Sequence, residues 1–478
     1  MTRRMLTSLF AALAMSSVAL LDPARAGEPP RFVQEACPES VTGIGRPVRC
    51  GRVAVPQDRA MPGGLQIDLP VVIVKAVTPK RGAPPVIYLH GGPGGGVVAG
   101  VADMLESDVG RELVGQDQDW VFFDQRGAES SRPSLDCGDL ALNDAGPSSL
   151  AVVAELQACV RRLEAQGIDF RRYTSADVVD DIRDIRTALG LPTVDLYGFS
   201  YGTRVAMSAL THDPSGIRAV VLDSPWPPEA RWTDTAPVWV SREAKRLLSL
   251  CAADPACAAR HGDPGDDLDR LARSMLERPV ERGGRVYRPE MLALFLMDAL
   301  YDPTAVRGLP ASIARFTAGD LSALDLYAKG SDAGYAEALH LAVLCNEEFP
   351  FETRDAVVER ARGDPVAEAV ASTIVNYFEA CKVFGPRNPA PIEQQPVRSR
   401  TPTLFLAAGI DAGCPAELSV EAVKGFPNGK LVVVANSTHG VSANSPCGRR
   451  LARAFFAAPD APPDENCGDE DARGVVFN

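Results

Sequence analysis

The sequence predicts an α/β protein: a mostly parallel sheet of eight strands, with a long helical segment inserted before the last two. Three observations carry this. Short apolar, β-branched runs bounded by Gly, Pro or Asp recur along the chain and read as strands buried on both faces. Helical and strand signals alternate through the middle of the chain, as parallel pairing requires. From about residue 223 to 403 the pattern changes, and helical signals replace strand signals.

Taken in order, strands are expected near 53–55, 67–77, 85–89, 120–123, 194–197, 219–222, 404–408 and 431–434. The clearest helix starts at Thr174 or Ser175. There Val178, Val179, Ile182, Ile185 and Leu189 share one face, while Asp180, Asp181, Arg183 and Asp184 are assigned to water. Gly190 ends it. Further helices are expected at 241–251, 289–301 and 336–344 in the inserted segment. Its edges fall at Pro225-Trp226-Pro227-Pro228 and at the Pro-rich stretch 385–403. The resulting division is a signal peptide at 1–26, a core at 27–227 and 399–457, a helical cap at 228–398 and an acidic tail at 458–478.

Composition bounds the function. The 478 residues are 46% hydrophobic and 23% charged, as in globular rather than disordered chains. A net charge of −13 disfavours nucleic acid and anionic membrane surfaces as partners. Arg3 and Arg4 precede an apolar run from Leu6 to Leu21, and Ala24-Arg25-Ala26 supplies small residues for cleavage before Gly27. That run is shorter than a spanning helix needs, so a cleaved export signal is favoured over a membrane anchor. No later segment reads as transmembrane.

Eleven cysteines fit an oxidising compartment. By spacing, Cys37 is paired with Cys50, Cys137 with Cys159, Cys251 with Cys257, Cys345 with Cys381, and Cys414 with Cys447. Cys467 is left free or competing with Cys414 for Cys447. A metal site is not indicated, because repeated CxxC and HExxH motifs are missing and histidines number five.

The strongest local signal is Gly198-Phe199-Ser200-Tyr201-Gly202, which follows a buried strand and precedes a helix. A serine at such a strand-turn-helix junction is forced outward, and the glycines permit the crowding. Ser200 is the candidate nucleophile. His90-Gly91-Gly92-Pro93-Gly94-Gly95-Gly96 follows the strand at 85–89 and exposes backbone N–H groups. With the N–H of Tyr201, that of Gly92 is expected to bind a tetrahedral oxyanion. A phosphate cradle is disfavoured because Gly-Lys-Ser/Thr does not follow. His439, in a loop after the last strand, is the expected base, since the chain order in α/β-hydrolases is Ser, acid, His. Asp411, after the strand at 404–408, is the favoured acid, and Asp223 is its rival. A Cys414–Cys447 bond would join the acid and base loops.

These motifs, together with Asp124-Gln125-Arg126-Gly127, resemble the proline iminopeptidase and tripeptidyl aminopeptidase group of α/β-hydrolases, from about Cys50 to Cys447. The resemblance implies a serine hydrolase acting on free peptide N-termini, with a helical cap over the site and no cofactor. Two positions depart from the family pattern: Glu129 replaces a usual glycine, and Phe199 replaces a usually small residue. Because relatives bind the substrate ammonium with acidic cap residues, the Cys345-Asn346-Glu347-Glu348 segment makes Glu347 the first candidate and Glu348 the second. The expected activity is therefore an exported aminopeptidase with Ser200, His439 and Asp411. A carboxylesterase of the same fold is the alternative, and a non-catalytic binding protein on this scaffold comes third. The expected partner is a peptide or small ester.

Overall fold

The apolar runs assemble into one nine-stranded sheet and its flanking helices. A computed structural model describes residues 29–138, 150–328, 336–385, 394–461 and 475–477. The expected signal segment, and most of the acidic tail including Cys467, lie outside the described residues. The strands are β1 (Phe32–Glu35), β2 (Val48–Pro56), β3 (Gln66–Val74), β4 (Val86–Leu89), β5 (Trp120–Phe123), β6 (Val194–Phe199), β7 (Ile217–Asp223), β8 (Val280–Arg282), β9 (Arg285–Tyr287), β10 (Thr403–Ala408) and β11 (Gly429–Val434). The large sheet runs β1-β2-β3-β5-β4-β6-β7-β10-β11, and β8 pairs with β9 in a separate hairpin. Neighbours from β5 through β11 pair in parallel, while β1, β2 and β3 are antiparallel additions at one edge.

The expected count of eight strands is corrected to nine. The extra strand is β1, whose Val33, Gln34 and Glu35 are exposed, so it lacks the buried apolar run that marks the others. The strand at 120–123 has the predicted limits. So does the helix Ser175–Leu189, which Thr174 caps by accepting the Asp177 N–H and which Gly190 ends in the left-handed conformation.

Asp181, expected to face water, is instead fully buried and takes a two-pronged ion pair from Arg126, with Nε–Oδ2 at 2.7 Å and Nη2–Oδ1 at 2.6 Å. A buried guanidinium needs such a partner, and local periodicity does not reveal one lying 55 positions away. The Arg126 of the Asp-Gln-Arg-Gly motif is thus a structural anchor.

Between β7 and β10 the chain forms helices from Trp232–Ala253 to Pro365–Val383. Four of them start at an Asp-Pro step. Asp254, Asp263, Asp302 and Asp364 each cap free N–H groups with a carboxylate, and the following proline occupies the first turn. This segment has its own hydrophobic core, including Leu247, Leu292, Leu296, Leu309 and Ile374. Ile410 and Ala412, which flank Asp411, belong to that same core. Two other apolar clusters cover the two faces of the sheet. Among the described residues, no helix is long and apolar enough to cross a membrane.

Four disulfides join the expected partners Cys37–Cys50, Cys137–Cys159, Cys251–Cys257 and Cys345–Cys381. The expected Cys414–Cys447 bond is not formed. Cys414 is a free, buried thiol, and Cys447 is disulfide-bonded elsewhere.

Candidate active site

Ser200 sits where β6 ends and the helix Tyr201–His212 begins, at φ 54° and ψ −124°. A serine adopts this left-handed backbone only where its surroundings hold it there. Here the Ser200 N–H donates to the Asp223 carbonyl at 2.9 Å, and its own carbonyl accepts from the Thr203 N–H at 2.8 Å. The flanking glycines are sterically required. A Cβ on Gly198 would lie 2.6 Å from the Gly202 carbonyl oxygen, and one on Gly202 would lie 2.0 Å from that of Leu89. The helix N-terminus therefore points its free N–H groups at the region beside Ser200, where negative charge is favoured.

The glycine-rich loop after β4 runs against this turn. A Cβ on Gly91 would come 2.9 Å from that of Ser200, which puts the neighbouring Gly92 beside the serine. The loop is tied to the end of β5. Asp124 Oδ1 accepts the N–H groups of Val97 and Val98 at 2.7 and 2.8 Å, and Gln125 Nε2 donates to the His90 carbonyl at 2.9 Å. Burial pushes the His90 pKa down, and its ring lies beneath Gly95. Glu129 is exposed at the loop's rim against Gly96, and partial desolvation of its carboxyl together with the Asp124 charge raises its pKa.

His439 and Asp411 meet across the ends of β10 and β11. The imidazole Nδ1 lies 3.0 and 2.9 Å from Asp411 Oδ1 and Oδ2. Since a carboxylate accepts, the proton is on Nδ1, and Nε2 is left as the basic nitrogen. The Gly413 and Cys414 N–H groups donate to Asp411 Oδ1 at 3.0 and 2.8 Å. Both residues are more than nine-tenths buried. Burial and the Asp411 charge push the Cys414 thiol well up, so it stays protonated.

The imidazole is packed between two rings, Phe199 at 5.5 Å and Tyr301 at 4.4 Å between centroids. Phe199 precedes Ser200, so this contact brings the His439 imidazole alongside the serine turn. Among the described residues no hydrogen bond joins the Ser200 hydroxyl to the imidazole; the two meet through their neighbours. Sequence reasoning set Phe199 aside as a departure and did not find Tyr301. A large side chain at a usually small position was the available signal for the first, while none existed for the second.

Asp223, the rival acid, faces elsewhere. Its Oδ1 accepts the Val441 N–H at 2.7 Å, and its Oδ2 accepts the Ser442 N–H at 3.0 Å and the Tyr197 hydroxyl at 2.6 Å. Burial raises its pKa, against which these donors work. Asp223 thus holds the chain just past His439 without touching the imidazole.

Glu347 and Glu348 are both buried and both paired with Arg204, a partner that local sequence pattern does not reveal. Glu347 Oε2 lies 3.0 Å from Arg204 Nε and 2.9 Å from Ser175 Oγ, and its Oε1 accepts the Ser175 N–H. Glu348 Oε1 pairs with Arg204 Nη1, while its Oε2 has no hydrogen-bond partner among the described residues. Burial pushes Glu348 up to about 8 and neighbouring Glu352 to about 7. Arg204 lies one helical turn past Ser200, so this carboxylate cluster borders the serine's own helix.

Residues 84–259 match the alpha/beta hydrolase fold family, and residues 365–467 match the family described as TAP-like protein. The chain is 26% identical over 475 residues to the tripeptidyl aminopeptidase of Streptomyces lividans, covering 88% of this chain and 85% of that one. It is 29% identical over 350 residues to the serine protease Hip1 of Mycobacterium tuberculosis, covering 66% of each. A crystal structure of proline iminopeptidase from Mycobacterium smegmatis aligns over 86% of this chain and 98% of that one, at 17% identity and a TM-score of 0.42.

Proposed function

We propose that this serine hydrolase of the α/β-hydrolase fold, similar over most of its length to tripeptidyl aminopeptidase, is an exported peptidase that releases residues or short peptides from free N-termini. The observation that carries the reading is the His439 Nδ1–Asp411 carboxylate pair beside the left-handed Ser200 turn. Ser200 Oγ attacks the scissile carbonyl as His439 Nε2 takes its proton, and Asp411 stabilises the imidazolium. The tetrahedral oxygen accepts the N–H groups of Tyr201 and Gly92. The imidazolium then protonates the leaving amine, and water repeats the sequence to release the acyl group. The helical segment 228–398 serves as the cap.

The substrate ammonium is read by Glu348, whose Oε2 has no donor among the described residues, and Glu347 holds Arg204 in place. An entering cation supplies the charge that lets a buried carboxyl ionise. Export is supported by the four disulfides whose partners both lie among the described residues and by the apolar run at 6–21. The carboxylesterase reading is favoured by one observation, that Arg204 already neutralises a carboxylate of the cluster.

A fluorophosphonate probe is expected to label the wild type and not Ser200→Ala, and labelling of both would remove Ser200 from the mechanism. Peptides with free N-termini should be cleaved, and N-acetylated ones should not. Glu348→Gln should raise KM for the free peptides and leave simple acyl esters unchanged. Equal turnover of blocked and free peptides would remove the ammonium reading, and turnover of acyl esters with no peptide cleavage would establish the esterase instead.

A further inference from the structure

The helix Glu337–Glu347 touches both sides of the Ser200 turn. At its start, the Ala336 N–H donates to the Gly94 carbonyl at 3.0 Å, and His340 Nδ1 lies 3.0 Å from the Pro93 carbonyl. A carbonyl can only accept, so Nδ1 carries the proton. Gly94, at φ 105°, lies so close that a Cβ there would come 2.9 Å from the Ala336 carbonyl oxygen. At the helix's other end Glu347 and Glu348 grip Arg204, three residues past Tyr201, and Glu347 also holds Ser175, whose Oγ is 3.1 Å from the Tyr201 hydroxyl. Eleven helical residues, about 16 Å of rigid rise, thus separate the anchor of the Gly92 loop from the anchor of the Tyr201 helix.

We infer that His340 is a positioning residue for the oxyanion hole: its ring N–H holds the Pro93 carbonyl, and so fixes the Gly92 N–H relative to that of Tyr201. The ring is largely buried, with Tyr377 edge-on at 6.1 Å, and burial pushes its pKa down to about 4. It is therefore neutral near pH 7, and its other nitrogen is a weak base. The hole's two donors come from separate loops, so their spacing depends on something that spans both. Asp124 fixes the far end of the glycine loop at Val97 and Val98, and His340 fixes its near end at Pro93. This inference rests on Ser200 being the nucleophile and adds the element that sets where the oxygen sits.

The test compares an acyl ester with its thionoester on the full chain. Sulfur accepts hydrogen bonds poorly, so the wild-type preference for the oxo ester reports the quality of the hole. His340→Ala is expected to lower kcat for the oxo ester by about ten- to a hundredfold, with KM unchanged within about twofold. The oxo-to-thiono ratio should collapse by a similar factor. Because both rates come from one preparation, any loss of folded protein cancels. His340→Asn, whose amide nitrogen can occupy the Nδ1 position, should restore most of the ratio. An unchanged ratio in His340→Ala would overturn the inference and leave Ser200's role intact. So would a rise in KM alone, which would make His340 a substrate contact. A wild type that hydrolyses neither ester and resists the fluorophosphonate would overturn the functional reading and this inference together.

Discussion

The loops carrying Asp411 and His439 leave adjacent strands, β10 and β11, yet different parts of the molecule hold them. The acid loop is packed into the inserted helices. Ile410 and Ala412 belong to their hydrophobic core, Arg246 donates to the Gly409 carbonyl, and Tyr301 lies over Gly413 so closely that a Cβ there would come 1.8 Å from its hydroxyl oxygen. The base loop is held by the sheet. Asp223 and Ser224, at the end of β7, accept the N–H groups of Val441, Ser442 and Gly440. Two backbone bonds, from the Gly409 N–H to the Val434 carbonyl and from the Ile410 N–H to the Ser437 carbonyl, join the loops themselves. The geometry at His439 is therefore a joint property of the insertion and the core. A change in either should be felt at the imidazole, in proportion to how directly it touches the pair.

The largest effect should come from the pair. Asp411→Asn is expected to lower kcat/KM by about 10³- to 10⁴-fold, because the wrong tautomer of the imidazole is favoured. Asp223→Asn, at an equally buried strand end, should cost no more than about tenfold in rate. It should still destabilise the fold by about 1–3 kcal/mol, since an amide cannot accept all the donors the carboxylate does. Rate constants and denaturant curves of the two variants test this, and the opposite ranking would exchange their roles.

A smaller effect is expected where the insertion presses on the acid loop. Gly413→Ala forces a methyl group against Tyr301 and should lower kcat by about tenfold. Adding Tyr301→Ala should recover part of that loss, a coupling that two additive penalties would not produce.

Smaller again is a pH effect at the carboxylate cluster. The folded pKa of Glu348, about 8, lies above its unfolded value, so the folded state binds more protons across the window between about 4.5 and 8. The stability it contributes is fully present below that window and is lost as pH rises through it. Glu348→Gln should remove this slope, so its Tm relative to wild type should climb between pH 5 and pH 8; parallel Tm profiles would contradict the raised pKa. The smallest effect is expected from Cys414→Ala, which breaks no disulfide and should leave kcat within about twofold of wild type.

Much of the scaffold was legible in local pattern. Thr174 and Gly190 bounded their helix because capping and left-handed backbone are decided within a few residues. Four cysteine pairs were readable because their partners lie close in sequence, the most distant being 36 positions apart. Cys414 misled the same reasoning: it is near Cys447 in the chain, but buried beneath Asp411 and unbonded. Asp181 misled it too, because an acidic residue on a polar helix face looks solvated until Arg126 arrives from another element. The Asp-Pro steps at 254, 263, 302 and 364 are helix-start signals that local sequence carries on its own, within the insertion.

Local residue patterns set the chemistry available and its setting: a serine crowded between glycines after a buried strand, a glycine loop beside it, and a late aspartate and histidine in the order this chemistry uses. Those features depend on backbone conformation and side-chain period, which neighbouring residues dictate. Long-range packing settled which aspartate faces the imidazole, that Glu347 and Glu348 share Arg204 across more than 140 positions, and that Tyr301 and His340 reach the site from the insertion. Such pairings arise from the packing of distant elements, where burial makes an unpaired charge too costly to leave, and that constraint acts only once the chain has folded.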